Sequence, residues 1–163
     1  MMREVLNMVK TPTVLYVEHD APLTPDRPIA WGNLIDAIKA GDANVIRFHF
    51  EEGIHPEHEH LMFDLEPRLI FGAPMMRTFQ WSQRPHLAST AFYRRIMASY
   101  FPETSKTMIE DLIYGIVWDR CMTGGIMAWY EFRLWIYTPV PNIKRSYHLD
   151  GRAGESKYDM HFK

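Results

Sequence analysis

Cysteine and long apolar runs are the two features that this chain of 163 residues has least of. Its one cysteine, Cys121, excludes an internal disulfide framework and is typical of a protein kept in a reducing compartment. No apolar run approaches the roughly 20 residues that a membrane-spanning helix requires. Residues 1–10 also lack the apolar core and the small-residue cleavage site of a secretory signal. We therefore expect a cytoplasmic protein that makes no membrane contact.

Motifs of common enzyme classes and an excess of charge are also absent from the sequence. There is no Gly-x-Ser-x-Gly motif, no phosphate-binding loop and no dinucleotide glycine motif, and no histidine lies near Cys121 in the sequence. These absences argue against a nucleophilic hydrolase and against an enzyme with a phosphate loop or a dinucleotide fold. The 18 basic residues nearly balance the 20 acidic ones, so any contact with nucleic acid must be local.

Aromatic residues, in contrast, are abundant, with five tryptophans, eight tyrosines and nine phenylalanines. This composition favours a β-containing fold or a site that stacks planar ligands. The chain length predicts one domain, residues 1–163, that is large enough to bury a continuous core.

Residue periodicity predicts the elements of the N-terminal half. Residues 13–18 are β-branched and aromatic and predict a strand. Residues 29–39 repeat apolar positions at helical spacing before Gly41, which predicts an amphipathic helix. Residues 45–50 alternate as a strand does, and residues 61–72 read as an extended apolar pair interrupted by a proline.

The C-terminal half is predicted to hold one helix and several strands. The helix is expected at residues 86–101, and a strand at residues 112–118. A glycine pair then predicts a hairpin into residues 126–137, which read as one long strand or as a strand plus a short helix. Residues 143–148 and 157–162 could close the sheet. The order of elements predicts an α+β fold, with a mostly antiparallel sheet and its helices gathered on one face.

Three histidines and two glutamates crowd the stretch GIHPEHEH, which covers residues 53–60. His58 and His60 alternate onto one side of an extended chain, and His55 or a carboxylate would complete a metal site of the cupin type. The glutamate spacing differs from the cupin motif, and no later segment supplies the remaining histidine. A metal site is therefore kept as the alternative interpretation of this cluster.

Short motifs in one consistent order resemble those of the translation initiation factor 4E family, which binds the mRNA cap. The motifs cover residues 13–149 and are, in order, Trp31, Leu34 and Ile38; Gly53, Ile54, Pro56 and Glu59; Arg68; Phe92 and Tyr93; Gly115; Arg120 and Trp129; and Pro141, Ile143 and Tyr147. The resemblance implies a curved, mostly antiparallel sheet with the helices packed on its convex face. It also implies binding of the methylguanosine cap in translation initiation or its regulation. No covalent step is implied, so the expected protein is a binding module rather than an enzyme, and it needs no cofactor.

Each residue that matches a cap-contacting motif receives a role by this resemblance. Glu59 would accept the N–H groups of the guanine edge, and His58 would take the position of a stacking tryptophan. Trp129 would contact the methyl group, since a methylated guanine is a cationic ring that aromatic faces attract. Arg68 and Arg120 would face the phosphates, with four basic residues as possible further RNA contacts by location. These four are Lys144, Arg145, Arg152 and Lys157.

The resemblance also implies a protein partner on the helical face. Trp31, with Tyr93 and Met97, would form a groove for an amphipathic helix of a scaffold or repressor protein. A related possibility is a fold relative that has lost the ligand and acts through Trp31 alone. The chain departs from the family in two ways: residues 18–30 contain no aromatic to act as the first stacking platform, and only eleven residues separate Trp129 from Pro141. It therefore resembles a shortened, divergent member.

Overall fold

In the residues that the computed structural model of this protein describes, six short strands form one sheet, accompanied by four α-helices and one 3-10 helix. The structure describes residues 2–24, 27–49, 52–103, 105, 107–138 and 143–147. The strands are β1 Thr13–Tyr16, β2 Val45–Phe48, β3 Arg68–Ile70, β4 Ala73–Arg77, β5 His86–Ser89 and β6 Leu134–Tyr137. The helices are α1 Met2–Met8, α2 Trp31–Lys39, α3 Thr90–Tyr100 and α4 Ile109–Phe132, and the 3-10 helix is Pro56–Leu61. The fold class is therefore α+β, as predicted.

The strand order across the sheet is β1-β5-β2-β6-β4-β3. Every neighbouring pair is antiparallel except β2 and β6, which run parallel at the centre of the sheet. Both central strands are buried along their whole length. Such strands carry apolar residues on both faces, because layers of structure cover them from two sides.

Helices cover both faces of the sheet, in contrast to the expectation that they gather on one. The ring of Trp31 in α2 packs edge-on against Phe48 of β2, with the centroids 5.3 Å apart. Tyr93 of α3 contacts His86 of β5, and His86 lies opposite Arg47, the neighbour of Phe48 in β2. Because successive side chains of a strand point to opposite faces, α2 and α3 lie on opposite sides of the sheet.

Helix α2 confirms the predicted amphipathic helix and begins two residues later than expected. Its buried residues are Leu34, Ala37 and Ile38, the spacing of one helical face. Helix α3 begins later than predicted as well, because His86–Ser89 pair with β1 and β2 as strand β5. Ser89 then caps α3, since its hydroxyl accepts the backbone N–H of Phe92.

The prediction for the segment that α4 occupies was wrong. The strand expected at 112–118, the turn after it and the hairpin at Gly124 and Gly125 are all helical, except that Gly125 has φ 56° and ψ −142° and kinks the helix. Four residues at a spacing of four bury one side of α4: Ile109, Ile113, Val117 and Cys121. Residues 112–118 include no charged residue, so no helical periodicity stands out within the stretch predicted as a strand. Residues 126–132 accordingly end the helix, and only Leu134–Tyr137 form a strand.

The remaining expected strands are found only in part. Residues 45–48 form β2, whereas residue 50 lies outside the described residues. Residues 61–72 yield the short edge strand β3, and β4 follows it as a strand that was not predicted. Residues 143–147 form no strand and contribute one isolated bridge, Leu23 to Ser146. Residues 148 and 157–162 lie outside the described residues. Within the described chain, no helix is long and apolar enough to cross a membrane.

Candidate functional site

Trp129, the residue expected to contact a methylated base, lies in the core with 2% of its surface exposed. Its indole N–H donates to the carbonyl oxygens of Thr78 at 3.0 Å and Leu134 at 3.2 Å. The guanidinium of Arg77 stacks over its ring at 5.4 Å. The ring is therefore enclosed by the protein and presents no face to a ligand.

The two arginines expected at the phosphates are both exposed and both paired with acids. Arg68 forms an ion pair with Asp64 at 3.1 Å, and Arg120 forms one with Glu131 at 2.7 Å. Asp64 also binds Arg77, and the hydrogen bonds from these two arginines lower the pKa of Asp64 to about 2, with Arg77 the stronger influence. Arg68 lies on the edge strand and Arg120 on α4, so the structure does not bring them together.

His58 and Glu59 lie next to each other on the 3-10 helix, where Glu59 is exposed and His58 is half-buried. Of the five residues expected to contact the cap, only His58 lines a cavity described below. Lys144 is exposed, whereas Arg145 is buried and stacks over Tyr137 at 5.1 Å. Arg152 and Lys157 lie outside the described residues.

The three residues expected to bind a protein partner do not form one surface. Trp31 is 37% exposed on the face of the sheet that α2 covers. Tyr93 is buried on the opposite face, and its hydroxyl lies 2.5 Å from Nε2 of His86. Met97 follows on the same helix as Tyr93, and its carbonyl accepts a hydrogen bond from Arg3. Trp31 is therefore the one exposed residue of the three, and it lies on the opposite face of the sheet from Tyr93 and Met97.

The histidine cluster is arranged as a helix cap in the structure. Nδ1 of His55 accepts the backbone N–H of Glu57 at the start of the 3-10 helix, and its ring lies 5.9 Å from that of His58. His60 instead packs edge-on against Trp118. Among the described residues, no group of three or more histidine, cysteine or acidic side chains could hold a metal ion. The cluster therefore gives no support to the cupin-type site.

A cavity of about 180 Å³ lies beside His58. Four basic side chains line it: Arg47, His49, His58 and Arg84. The described lining also includes two polar residues, Gln80 and Ser82, and three apolar ones, Ile54, Met62 and Ile136. None of the described lining residues is acidic. Residues 50 and 51, which follow His49, lie outside the described residues.

Three parts of the fold converge at this cavity. Arg47 and His49 come from the end of β2, His58 from the 3-10 helix, and Arg84 from the loop before β5. Arg47 is 6% exposed, and its Nη1 donates to Oε1 of Gln80 at 2.9 Å. This hydrogen bond fixes the orientation of the guanidinium in the wall of the cavity.

His49 contributes hydrogen-bonding capacity rather than charge near neutral pH. Burial, helped by the nearby charge of Arg47, lowers the pKa of His49 to about 4. The neutral ring donates from Nε2 to the carbonyl oxygen of Gly53 at 2.8 Å, because a carbonyl can only accept. The permanent positive charges of the cavity therefore come from Arg47 and Arg84.

A buried hydrogen-bonded unit fixes the loop that carries Arg84. Nδ1 of His86 lies 2.7 Å from the carbonyl oxygen of Arg84 and donates to it, while Nε2 accepts from the hydroxyl of Tyr93. The ring of His86 also stacks on Tyr16 at a centroid distance of 4.9 Å and lies nearly parallel to the ring of Tyr93 at 5.9 Å. Complete burial lowers the pKa of His86 to about 4, so this neutral tautomer is retained at neutral pH.

Sequence patterns identified one histidine of this cavity and neither of its arginines. Arg47 was assigned to an alternating strand, where a charged residue is expected to face solvent. Arg84 stands in a loop without any recognisable motif. Arg47 and His49 stand at alternate positions of the predicted strand and therefore share one of its faces. This spacing is the feature of the sequence that indicates a basic site.

No protein-family model, curated protein or solved structure matches this chain.

Proposed function

We propose that this protein binds a phosphorylated ligand and that a phosphate group enters the cavity beside His58. The observation that carries this proposal is the convergence of Arg47 and Arg84 on one concave site whose described lining contains no acid. Guanidinium groups bind phosphate oxygens through pairs of parallel hydrogen bonds, which makes arginine a preferred residue for this task. His58, Gln80 and Ser82 add neutral or titratable partners at the rim.

The size of the cavity limits which part of a ligand it holds. Pockets that enclose a whole small molecule measure about 300 to 1,000 Å³, whereas this cavity measures about 180 Å³. A phosphate group fits such a space, and the rest of the ligand lies outside it. The proposed function is therefore that of a binding module, which recognises the phosphorylated end of a larger molecule.

The capped 5′ end of mRNA is the specific ligand that the resemblance to the initiation factor 4E family nominates. In this proposal the cap phosphates enter the cavity, and the exposed Glu59, next to His58, accepts from the guanine edge. Trp129, Arg68 and Arg120 take no part, because Trp129 is enclosed and the two arginines lie elsewhere. The protein would then act in the cytoplasm in translation initiation or its regulation.

A partner protein is proposed at Trp31 alone. This side chain is partly exposed on α2, on the other face of the sheet from Tyr93 and Met97, and an amphipathic helix would cover it. Replacement by alanine should abolish pull-down of such a partner and leave ligand binding unchanged. Retention of the partner by Trp31→Ala would refute this part of the proposal.

Calorimetric titration with pyrophosphate, GTP and a methylated cap analogue tests the ligand. We expect Arg84→Gln to weaken binding of all three at least tenfold, which corresponds to about 1.4 kcal/mol. Arg68→Gln is the matched control, since it removes the same charge from an exposed position outside the cavity. Equal affinity of the two variants would refute the cavity, and no measurable binding of any probe would refute the function.

The same titration decides between a general phosphate site and a cap site. Tighter binding of the methylated analogue than of GTP, with the difference lost in Glu59→Ala, is the result expected for cap recognition. Equal affinities for GTP and the cap analogue would remove the cap from the proposal and retain the phosphate site.

A further inference from the structure

A second concave site of about 410 Å³ lies between α3 and the last turn of α4. We refer to it as the α3–α4 groove, and the residues used below are Asn44, Arg95, Tyr100, Tyr130, Glu131 and Arg133. Asn44 precedes β2, whereas His49 of the first cavity follows β2. Five residues of extended chain span about 17 Å, so the groove and the cavity are separate sites at opposite ends of one strand.

Positive charge dominates this groove although it contains the C-terminus of a helix. Arg95 and Arg133 line it, and Arg120 binds two lining residues, Tyr100 and Glu131. Glu131 is the one acid among the described lining residues. Three guanidiniums against one carboxylate and a helix end worth about half a negative charge leave a net charge of about +1.5. An anion is therefore the charge type that this site favours.

Arg95 and Arg133 are oriented by backbone carbonyl oxygens rather than by acids. Nη2 of Arg95 donates to the carbonyl oxygen of Glu131 at 2.8 Å, and Nε of Arg133 donates to that of Tyr130 at 3.1 Å. The backbone N–H of Arg133 satisfies the carbonyl of Trp129 at 2.8 Å. These contacts fix each guanidinium and satisfy the carbonyls that would repel an anion. Each guanidinium carries five N–H donors, so both keep donors for a ligand.

An aromatic platform stands beside these donors. Tyr130 is 50% exposed, and its ring packs edge-on against buried Trp129 at a centroid distance of 5.4 Å. This contact fixes the ring and leaves it accessible on the surface. A half-exposed, immobilised tyrosine is suited to stacking a planar group. The groove volume lies within the range of about 300 to 1,000 Å³ of pockets that hold a small molecule.

We infer that the α3–α4 groove binds a nucleotide, with the base stacked on Tyr130 and the phosphate held by Arg95 and Arg133. The combination of guanidiniums and an exposed ring matches the two parts of such a ligand, an anionic group and a planar one. The site does not depend on the proposed function, because none of its lining residues lines the first cavity.

Titration of the Arg84→Gln protein with adenosine monophosphate tests this inference, since that background disables the first cavity. We expect one bound nucleotide per chain. Tyr130→Ala should weaken its binding by about 5- to 150-fold, the range of one lost stack. Arg95→Gln should weaken both adenosine monophosphate and inorganic phosphate, whereas Tyr130→Ala should leave inorganic phosphate unchanged, because only the nucleotide carries a ring.

Lys10→Gln is the matched control, because Lys10 is exposed and lies outside the groove, and we expect no effect on nucleotide affinity. Arg95→Lys keeps the charge without the forked donors and should bind with an affinity between those of the parent and Arg95→Gln. The inference is overturned if the Arg84→Gln protein binds no adenosine monophosphate. It is also overturned if adding Tyr130→Ala or Arg95→Gln to that protein leaves its affinity for adenosine monophosphate unchanged. Loss of binding in Arg84→Gln alone would assign the nucleotide to the first cavity, which separates the two proposals.

Discussion

Protonation of buried His86 should couple the stability of this protein to pH. The side chain is fully enclosed, and burial lowers its pKa from 6.5 to about 4. The unfolded chain therefore binds a proton between about pH 6.5 and 4 that the folded chain does not bind. The free energy of unfolding must then fall as the pH falls through this window. His49, whose pKa is also about 4, acts in the same direction.

The magnitude follows from the two pKa values. At pH 5 the unfolded histidine is almost fully protonated, whereas about a tenth of the folded one is. Each histidine thus contributes a slope of about 1.2 kcal/mol per pH unit and a loss of about 2 kcal/mol between pH 7 and pH 5. His86 and His49 together should cost about 4 kcal/mol over this interval, a large part of the 5 to 15 kcal/mol of an ordinary domain.

Urea unfolding at a series of pH values, followed by circular dichroism, measures this slope. We expect His86→Gln to be less stable than the parent at pH 7 and to show a slope near pH 5 that is smaller by about 1.2 kcal/mol per pH unit. All other titrating groups are common to both proteins, so the difference in slope reports His86. An unchanged slope in the folded variant would refute the assignment of the linkage to this residue.

Four further substitutions test two side-chain contacts and the helix kink by denaturant unfolding. Tyr93→Phe leaves Nε2 of buried His86 without its donor and should cost about 1 to 3 kcal/mol, whereas a cost near zero would contradict this hydrogen bond. Asp64→Asn should cost about 2 kcal/mol at pH 7, because the folded pKa of about 2 stabilises the protein above pH 4. The difference from the parent should vanish towards pH 2, and a constant difference would refute the linkage. Gly125→Ala should destabilise the protein by about 1 to 3 kcal/mol, because Gly125 has a φ of +56°. Gly115→Ala is the control in the same helix and should stabilise the protein by up to about 1 kcal/mol, because the space around Gly115 is open. Equal effects of the two substitutions would contradict the kink.

Local patterns in the sequence predict those elements that have one buried face and one solvent-exposed face. Helix α2 alternates a buried face with a solvated one, so its period is visible in the residues themselves. Residues 112–118 of helix α4 include no charged residue, and their β-branched and aromatic side chains favour a strand. Strand β4 was missed because Pro74 argues against a strand interior, whereas here the proline belongs to a strand beside the sheet edge.

The candidate site depends on pairings that no local pattern contains. Arg47 and Arg84 are brought together because β2 pairs with β5, which begins at His86, two residues after Arg84. The burial of Trp129 likewise depends on the carbonyl of Thr78, far away in the chain. A family resemblance assigned roles to residues by spacing, and spacing does not show which of them share a cavity.

The parallel pair at the centre of the sheet has a consequence for synthesis of the chain. Strand β2 begins at Val45, and its partner β6 begins at Leu134, about 90 residues later. At a synthesis rate of about 5 to 20 residues per second, the edge of β2 that pairs with β6 stays unpaired for about 4 to 18 seconds. An apolar strand with an open edge is a template for wrong pairing. On the ribosome, β2 therefore remains open to wrong pairing along this edge until β6 emerges.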